Sequence, residues 1–288
     1  MTEPIPKKLK PRSPVFRALG AAEPPAAVTV SGHVYLRTEI FKHDSWAATA
    51  LYTGHEGRIV CKFNRLQSFF GIGMAWIGKR LAGRERLALE RLADLPNVPM
   101  SMGDVFVDGV RCPNAIARRY VAGHPLLRKE LVPAGFFDSI NITLAEMHRR
   151  GIAYVDLHKR ENIIVGDDGK PYLIDFQICF DVTHRRVRCW PGARGLFDLL
   201  CQADRYHFSK HVLNHAHAND ATAQAMIAAN RPWWIRAHRS IAVPFREMRR
   251  KLLVALGVRS GKGRAESEHF AEDAVRREVD AKTTRFAA

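Results

Sequence analysis

Asp156, Asn162 and Asp175 are the residues of this 288-residue chain whose types and spacing could do chemistry together. They stand in Gly151-Ile-Ala-Tyr-Val-Asp156-Leu-His-Lys-Arg-Glu-Asn162-Ile-Ile-Val and in Leu-Ile-Asp175-Phe-Gln. Between them, Ile163–Val165 and Tyr172–Ile174 read as two short strands around the turn Gly166-Asp167-Asp168-Gly169. A hairpin of that kind brings an acid, an amide and a second acid to one edge. Hard cations such as Mg²⁺ take oxygen ligands of this type and keep phosphate oxygens in the rest of their shell. A further carboxylate nearby can accept a hydroxyl proton. Singly, each residue would be an ordinary turn former, because Asp and Asn side chains cap loop backbone.

Three such residues in register require elements that position them. Val34–Phe41, Ala47–Thr53 and Arg58–Phe63 are strand-like, the last two joined by the hairpin turn Gly54-His55-Glu56-Gly57. The third of these runs carries Lys62. Gly83–Leu95 shows a helical stripe of Leu87, Leu92 and Leu95 with charges between, Glu85 among them. Asp104–Val107 and Asn114–Val121 are again strand-like, and Phe136–Arg150 spaces Phe137, Ile140, Leu144 and Met147 as one helix face. From Arg194 onward the pattern is mostly helical. Strands first and helices later predict an α+β protein with two lobes.

The spacing of these residues resembles the protein-kinase-like superfamily, whose catalytic loop reads HRDxxxxN and whose metal-binding motif reads DFG. Asp156 matches the catalytic aspartate, Asn162 the metal-binding asparagine and Asp175 the metal-binding aspartate, 13 residues beyond Asn162. Lys62 in Arg58-Ile-Val-Cys-Lys62 matches the strand lysine that grips the ATP phosphates, and Glu85 the helix glutamate that holds it. Tyr154 replaces the catalytic-loop histidine, Gln177 replaces the glycine of DFG, and the interval from Asp156 to Asn162 is six residues where five is usual. Asp-Leu-His after Val155, and Asp204-Arg-Tyr-His-Phe-Ser-Lys-His, are similar to the bacterial lipopolysaccharide kinases that act on Kdo and heptose.

The resemblance implies a two-lobed protein-kinase-like fold, with a small antiparallel-sheet N-lobe, a helix of the αC type and a mainly helical C-lobe. It implies ATP and Mg²⁺ as cofactors, Lys62, held by Glu85, on the α/β-phosphates, Asn162 and Asp175 on the metal, and Asp156 on the acceptor hydroxyl. His158 either positions the γ-phosphate as a nucleotide-binding residue or orders the loop. Lys159 and Arg160 either neutralise transferring phosphate or are solvated. Asp204 matches an aspartate that braces the catalytic loop. The nucleotide-covering position falls on His43-Asp-Ser-Trp-Ala-Ala-Thr49, without a glycine, whose backbone N–H groups are expected to face phosphate. Ala117–Gly123 would be the hinge beside adenine. The favoured acceptor is a lipopolysaccharide core sugar; alternatives are a protein Ser/Thr hydroxyl, or a membrane-associated pseudokinase that binds nucleotide or a partner without catalysis.

Composition bounds the rest. A hydrophobic fraction of 47% and a charged fraction of 26% are those of a globular chain and exclude wholesale disorder. The net charge of +16 is uneven: +4 over residues 1–17, +5 over 18–230, +7 over 231–259 and zero over 260–288. We therefore expect a basic, Pro-rich flexible arm over 1–27, an N-lobe and hinge over 28–121, a C-lobe over 122–257 and a charged, flexible or helical tail over 258–288. Phe245, Met248, Leu252 and Leu256 share one helix face, with Arg246, Arg249 and Arg250 largely elsewhere. Such a helix suits an anionic membrane surface, where each basic residue adds about 1 kcal/mol. Phe69, Phe70 and Trp76, followed by Lys79 and Arg80, are either a helix start packed on the small lobe or a second membrane-dipping element. No nucleic-acid module is visible, so no specific nucleic acid is expected as partner. Five cysteines without a CxxC pair point to a reducing compartment and to buried fillers. The start lacks a secretory stretch, and the longest nearly apolar run falls far short of a span of roughly 20 residues. The expected location is cytoplasmic, peripheral on the inner face of the cytoplasmic membrane.

Overall fold

The structure is a computed structural model that describes residues 13–68, 71–127 and 130–216, together with Ile227, Pro232, Trp234, Ile235 and Met248. Eight strands form one curled antiparallel sheet: β1 (Ala27–Val30), β2 (His33–His43), β3 (Ala47–Gly54), β4 (Gly57–Asn64), β5 (Ser101–Gly103), β6 (Val105–Val107), β7 (Val110–Arg111) and β8 (Ala115–Arg119). Their spatial order is β5-β8-β4-β3-β2-β1-β6-β7. The β3–β4 hairpin closes as its sequence predicts, with Gly54 opposite Gly57 and Gly57 at φ +104°, a conformation that a Cβ would oppose. Two register shifts in β2, between Arg37 and Glu39 and between Ile40 and Lys42, add local twist to the sheet.

Alternation along β4 decides where Lys62 goes. Ile59, Cys61 and Phe63 enter a core with Tyr35, Tyr52 and Val105, whereas Val60 belongs to a separate cluster on the opposite face. Lys62, two residues from Val60, shares that second face. Helix α1 (Ala75–Arg91) follows, and Gly78 permits its close approach, since a Cβ there would lie 2.2 Å from the Arg65 carbonyl oxygen.

The remaining elements are β9 (Gly123–Pro125), α2 (Phe136–Arg149), β10 (Ile152–Ala153), β11 (Ile163–Gly166), β12 (Pro171–Leu173), β13 (Phe180–Asp181), α3 (Arg185–Arg188) and α4 (Ala193–Ala216). Strands β12, β11 and β9 make a small sheet, and β10 pairs with β13. Their main core joins Leu89 and Leu92 of α1 to Ile140, Leu144 and Met147 of α2 and to Tyr154, Leu157 and Phe176 near the chemical residues. Helix α1 is thus packed into the same core as the loop that carries Asp156.

Three expectations need correction. Residues 13–26 are not a loose arm. Arg65, 2% exposed, donates to the carbonyls of Val15, Ser45 and Ser68, while the buried Ala18 exchanges backbone hydrogen bonds with Asp44, Leu66 and Gln67. Buried donors seek acceptors, and Val15 of this stretch supplies one of the three carbonyls. The helix expected from Gly83 begins at Ala75, and its inner face is Gly78, Ala82, Glu85, Ala88 and Leu89. Leu87 therefore faces outward, 45% exposed. Residues 1–12, Phe69, Phe70, the helix expected around 245–256 apart from Met248, and the tail 258–288 lie outside the described residues.

Candidate active site

Lys62 on β4, Glu85 on α1 and Asp175 after β12 meet in one group. Lys62 Nζ donates to Glu85 Oε2 at 3.1 Å and to Asp175 Oδ1 at 2.7 Å. Their side chains are 14%, 3% and 23% exposed, so the three charges face little solvent. Burial pulls the lysine pKa down, but Asp175 and Glu85 outweigh it and hold the ammonium above the ordinary lysine value. For Glu85 burial prevails and its carboxyl is raised; for Asp175 burial acts upward and is overcome by Lys62, so its carboxyl is lowered. Arg118 of β8, 8% exposed, adds a second cation near Glu85.

Asp156 is fully buried beside this group. Its Oδ2 accepts from Asn162 Nδ2 at 2.9 Å and from Lys159 Nζ at 2.6 Å. Its Oδ1 accepts no hydrogen bond, although His158 Nδ1 stands 3.3 Å away in a non-bonding orientation. This oxygen keeps unused acceptor capacity, but it is shielded from solvent. The Asn162 amide nitrogen is spent on Asp156, which leaves its carbonyl oxygen as a possible ligand atom.

Two backbone positions here are held in the left-handed region, Val155 at φ 73° and Asp175 at φ 66°. Such residues cost of order 1–3 kcal/mol each and persist where the surroundings over-determine them. Asp204 of α4 does this for the first. Fully buried, it accepts the Tyr154 N–H at 2.7 Å and the Val155 N–H at 2.8 Å, and lies 3.0 Å from His148 Nε2. Tyr154, in the place of the usual histidine, serves the second: its hydroxyl donates to the Ile174 carbonyl, next to Asp175, and its ring meets Phe176 edge-on at 5.2 Å. Burial, with Asp175 and Asp156 nearby, raises this phenol well above its usual pKa and keeps it a donor.

A cavity of about 360 Å³ opens over Lys62, Glu85, Asn162 and Asp175; Asp156, bonded to Asn162 and Lys159 of its wall, does not itself line it. Phe41, Val60, Ile116 and Ile174 give it apolar walls, while Lys62, Glu85, Asn162 and Asp175 line its polar side. Asp44 of the expected nucleotide-covering stretch, Arg118 of the expected hinge and Gln177 also line it, together with Lys42 and Glu161, to which the sequence reading gave no role. Asp44 carries a legible signal, an Asx turn. Its Oδ1 accepts the N–H groups of Trp46 and Ala47 at 2.7 and 2.9 Å, so these two donors of the glycine-free loop are already engaged and do not face a phosphate. Lys42 pairs with the same carboxylate at 2.6 Å. His158 does not line this cavity; it is half-exposed, with its ring 5.8 Å from His207.

Among the described residues no cluster of three or more His, Cys, Asp or Glu side chains could hold a metal by itself. Asn162 and Asp175 nevertheless offer two oxygen donors on one cavity wall, a set that fits Mg²⁺, which is usually bound through one or two carboxylates and completed by phosphates and water.

No family model matches the chain. Over 216 residues it is 31% identical to the "Probable SapB synthase" of Streptomyces coelicolor, a stretch covering 63% of this chain and 23% of that protein. Over 70 residues it is 37% identical to the serine/threonine-protein kinase WAG1 of Arabidopsis thaliana, covering 24% of this chain and 14% of the kinase. The chain thus spans less than a quarter of the length of these curated relatives. Among solved structures, its fold is similar to the Rio2 kinase of Chaetomium thermophilum, in an ADP/Mg²⁺-phosphoaspartate complex (TM-score 0.45, 16% identity, 61% of this chain and 57% of that one). A second Rio2 structure gives a TM-score of 0.43 at 16% identity, covering 61% and 58%.

Proposed function

We propose that the protein is an ATP-dependent phosphotransferase of the protein-kinase-like superfamily, two-lobed, with α1 as its αC helix, moving the γ-phosphoryl group to a hydroxyl. The observation that carries this reading is the Lys62 ammonium shared between Glu85 and Asp175, at the cavity where Asn162 holds Asp156. Phosphoryl transfer asks little covalent chemistry of a protein and much positioning and charge stabilisation. Lys62, oriented by Glu85, binds the α/β-phosphates. Asp156 accepts the acceptor's proton at Oδ1, the oxygen that makes no hydrogen bond. Asn162 and Asp175 would hold Mg²⁺, which supplies charge neutralisation on the phosphate oxygens. Tyr154 and Asp204 keep the loop in place and touch no substrate.

The acceptor we favour is a lipopolysaccharide core sugar presented at the inner face of the cytoplasmic membrane. Ile72, just before α1, and Trp76, in its first turn, 65% and 61% exposed in a stretch that continues to Lys79, support contact with an anionic bilayer. Among the described residues no helix is long and apolar enough to cross a membrane. The likeness to a serine/threonine kinase over 70 residues favours a protein hydroxyl as the second reading. The engaged N–H groups of the Asp44 turn favour the third, a nucleotide-binding protein without turnover.

One experiment separates these: γ-labelled ATP and Mg²⁺ with purified protein, membrane glycolipid extract and protein acceptors. Label in glycolipid is the expected result. Label in protein alone selects the second reading, and nucleotide binding without any transfer selects the third.

A further inference from the structure

A second cavity, of about 430 Å³, lies on the other side of α1, between that helix and the segment Cys179–Trp190. We propose that it binds a small soluble organic phosphate, with the phosphate held by Arg80, Arg84 and Arg186 and the apolar body against Leu87, Phe180 and Trp190. This site is separate from the one read above as catalytic, and its occupation requires no turnover.

The charge balance of the cavity asks for an anion. Arg80 and Arg84 are one helical turn apart on α1, a like-charged i,i+4 pair that destabilises a helix unless something compensates it. Arg186 reaches the same cavity from α3. None of the three forms an ion pair among the described residues, whereas Arg86 and Arg91 on the same helix pair with Asp104 and Asp181. The one acid lining the cavity, Asp181, is thereby taken by Arg91, and it also accepts from Thr183 at 2.7 Å. Cys179 adds no charge, because burial pushes its thiol up to about 12. His184 Nδ1 accepts the Arg186 N–H at 3.3 Å, which leaves the hydrogen on Nε2 as one more donor.

The chemistry selects phosphate and an apolar body. Guanidinium forks match the tetrahedral oxygens of phosphate in bidentate fashion, and arginine is the residue used where that geometry matters. Leu87 and Trp190 are 45% and 52% exposed at this site, apolar surface that inorganic phosphate would leave wet. The volume is that of a small-ligand pocket. Arg84 precedes Glu85 in the helix, so a ligand tying Arg80 and Arg84 to Arg186 also restrains the helix that presents Glu85 to Lys62.

Calorimetric titration of the full chain with 1-naphthyl phosphate, without ATP, tests this. Expected is saturable binding at least tenfold tighter than 1-naphthol or inorganic phosphate, weakened at least tenfold in Arg84→Gln/Arg186→Gln and unchanged in Arg149→Gln, a surface arginine that does not line this cavity. Trp190→Ala, which leaves all three arginines, should also weaken it while inorganic phosphate binds as before. Absence of binding, equal binding of 1-naphthol, insensitivity to the arginine pair, or an equal loss on Arg149→Gln would each overturn the proposal. Because the reading concerns binding alone, failure of phosphoryl transfer leaves the result interpretable, and failure here leaves the transfer assay standing.

Discussion

Helix α1 separates two cavities that treat charge in opposite ways. On its inner side Lys62, Glu85 and Asp175 are largely buried and matched by contact, one ammonium shared between two carboxylates at 3.1 and 2.7 Å. On its outer side Arg80, Arg84 and Arg186 are exposed and have no carboxylate partner among the described residues. A matched buried group is pre-organised and suffers when one member is removed, because the survivor is left as a buried charge without compensation. An exposed unmatched group adds little to the fold, and its attraction for an anion is screened by salt. The same helix therefore presents a fixed constellation to one ligand and an open electrostatic claim to another.

Substitutions should separate the two sides. Lys62→Ala strands Glu85 and Asp175 facing each other; we expect unfolding free energy to fall by about 3–5 kcal/mol in denaturant titration. A loss within 0.5 kcal/mol would mean that the inner group is no more costly to break than the outer one. Asp204→Ala leaves the buried N–H groups of Tyr154 and Val155 without their acceptor. At about 1–3 kcal/mol for each, the expected loss is roughly 2–6 kcal/mol, read in the same titration.

A smaller effect concerns acid. Burial acts to raise the Asp44 carboxyl, but Lys42 and the Ala47 and Trp46 N–H groups prevail and lower it. A carboxyl lowered on folding contributes stability that is full above its unfolded pKa of about 4 and is lost as pH falls through the folded value. Melting temperatures of wild type and Asp44→Ala should therefore differ most near neutrality and converge on acidification; a constant offset would contradict the assignment. Smallest of all, Arg84→Ala should leave stability within about 0.5 kcal/mol of wild type, as exposed positions do. A larger loss would show that the outer arginines brace the fold.

The chemical side of this contrast was legible in the sequence and the outer side was not. Asp156, Asn162 and Asp175 could be read together because a hairpin of two short apolar runs fixes where its ends return. Lys62 could be placed because period-2 alternation in Arg58–Phe63 decides the face of every residue. Leu87 was misassigned because a short stripe of leucines fits more than one helix face, and the burial of Gly78 and Ala82, which sets the true face, has no hydrophobic signature. Residues 13–26 looked like a loose arm because their order depends on Arg65, an arginine buried some 40 positions later, and sequence pattern does not announce a buried guanidinium. The outer cavity depends on which arginines lack carboxylates, a property of tertiary placement alone.

The central claim is that the inner group binds Mg·ATP while Asp156 serves only the transfer. Its most direct test is parallel calorimetry with Mg·ATP and γ-phosphoryl transfer on wild type, Asp156→Ala and Asp175→Ala. We expect Asp156→Ala to bind Mg·ATP as wild type does and to lose about 10²–10⁴-fold in transfer, and Asp175→Ala to lose binding as well. Undiminished transfer by Asp156→Ala, or no binding of Mg·ATP by the wild type, would contradict it.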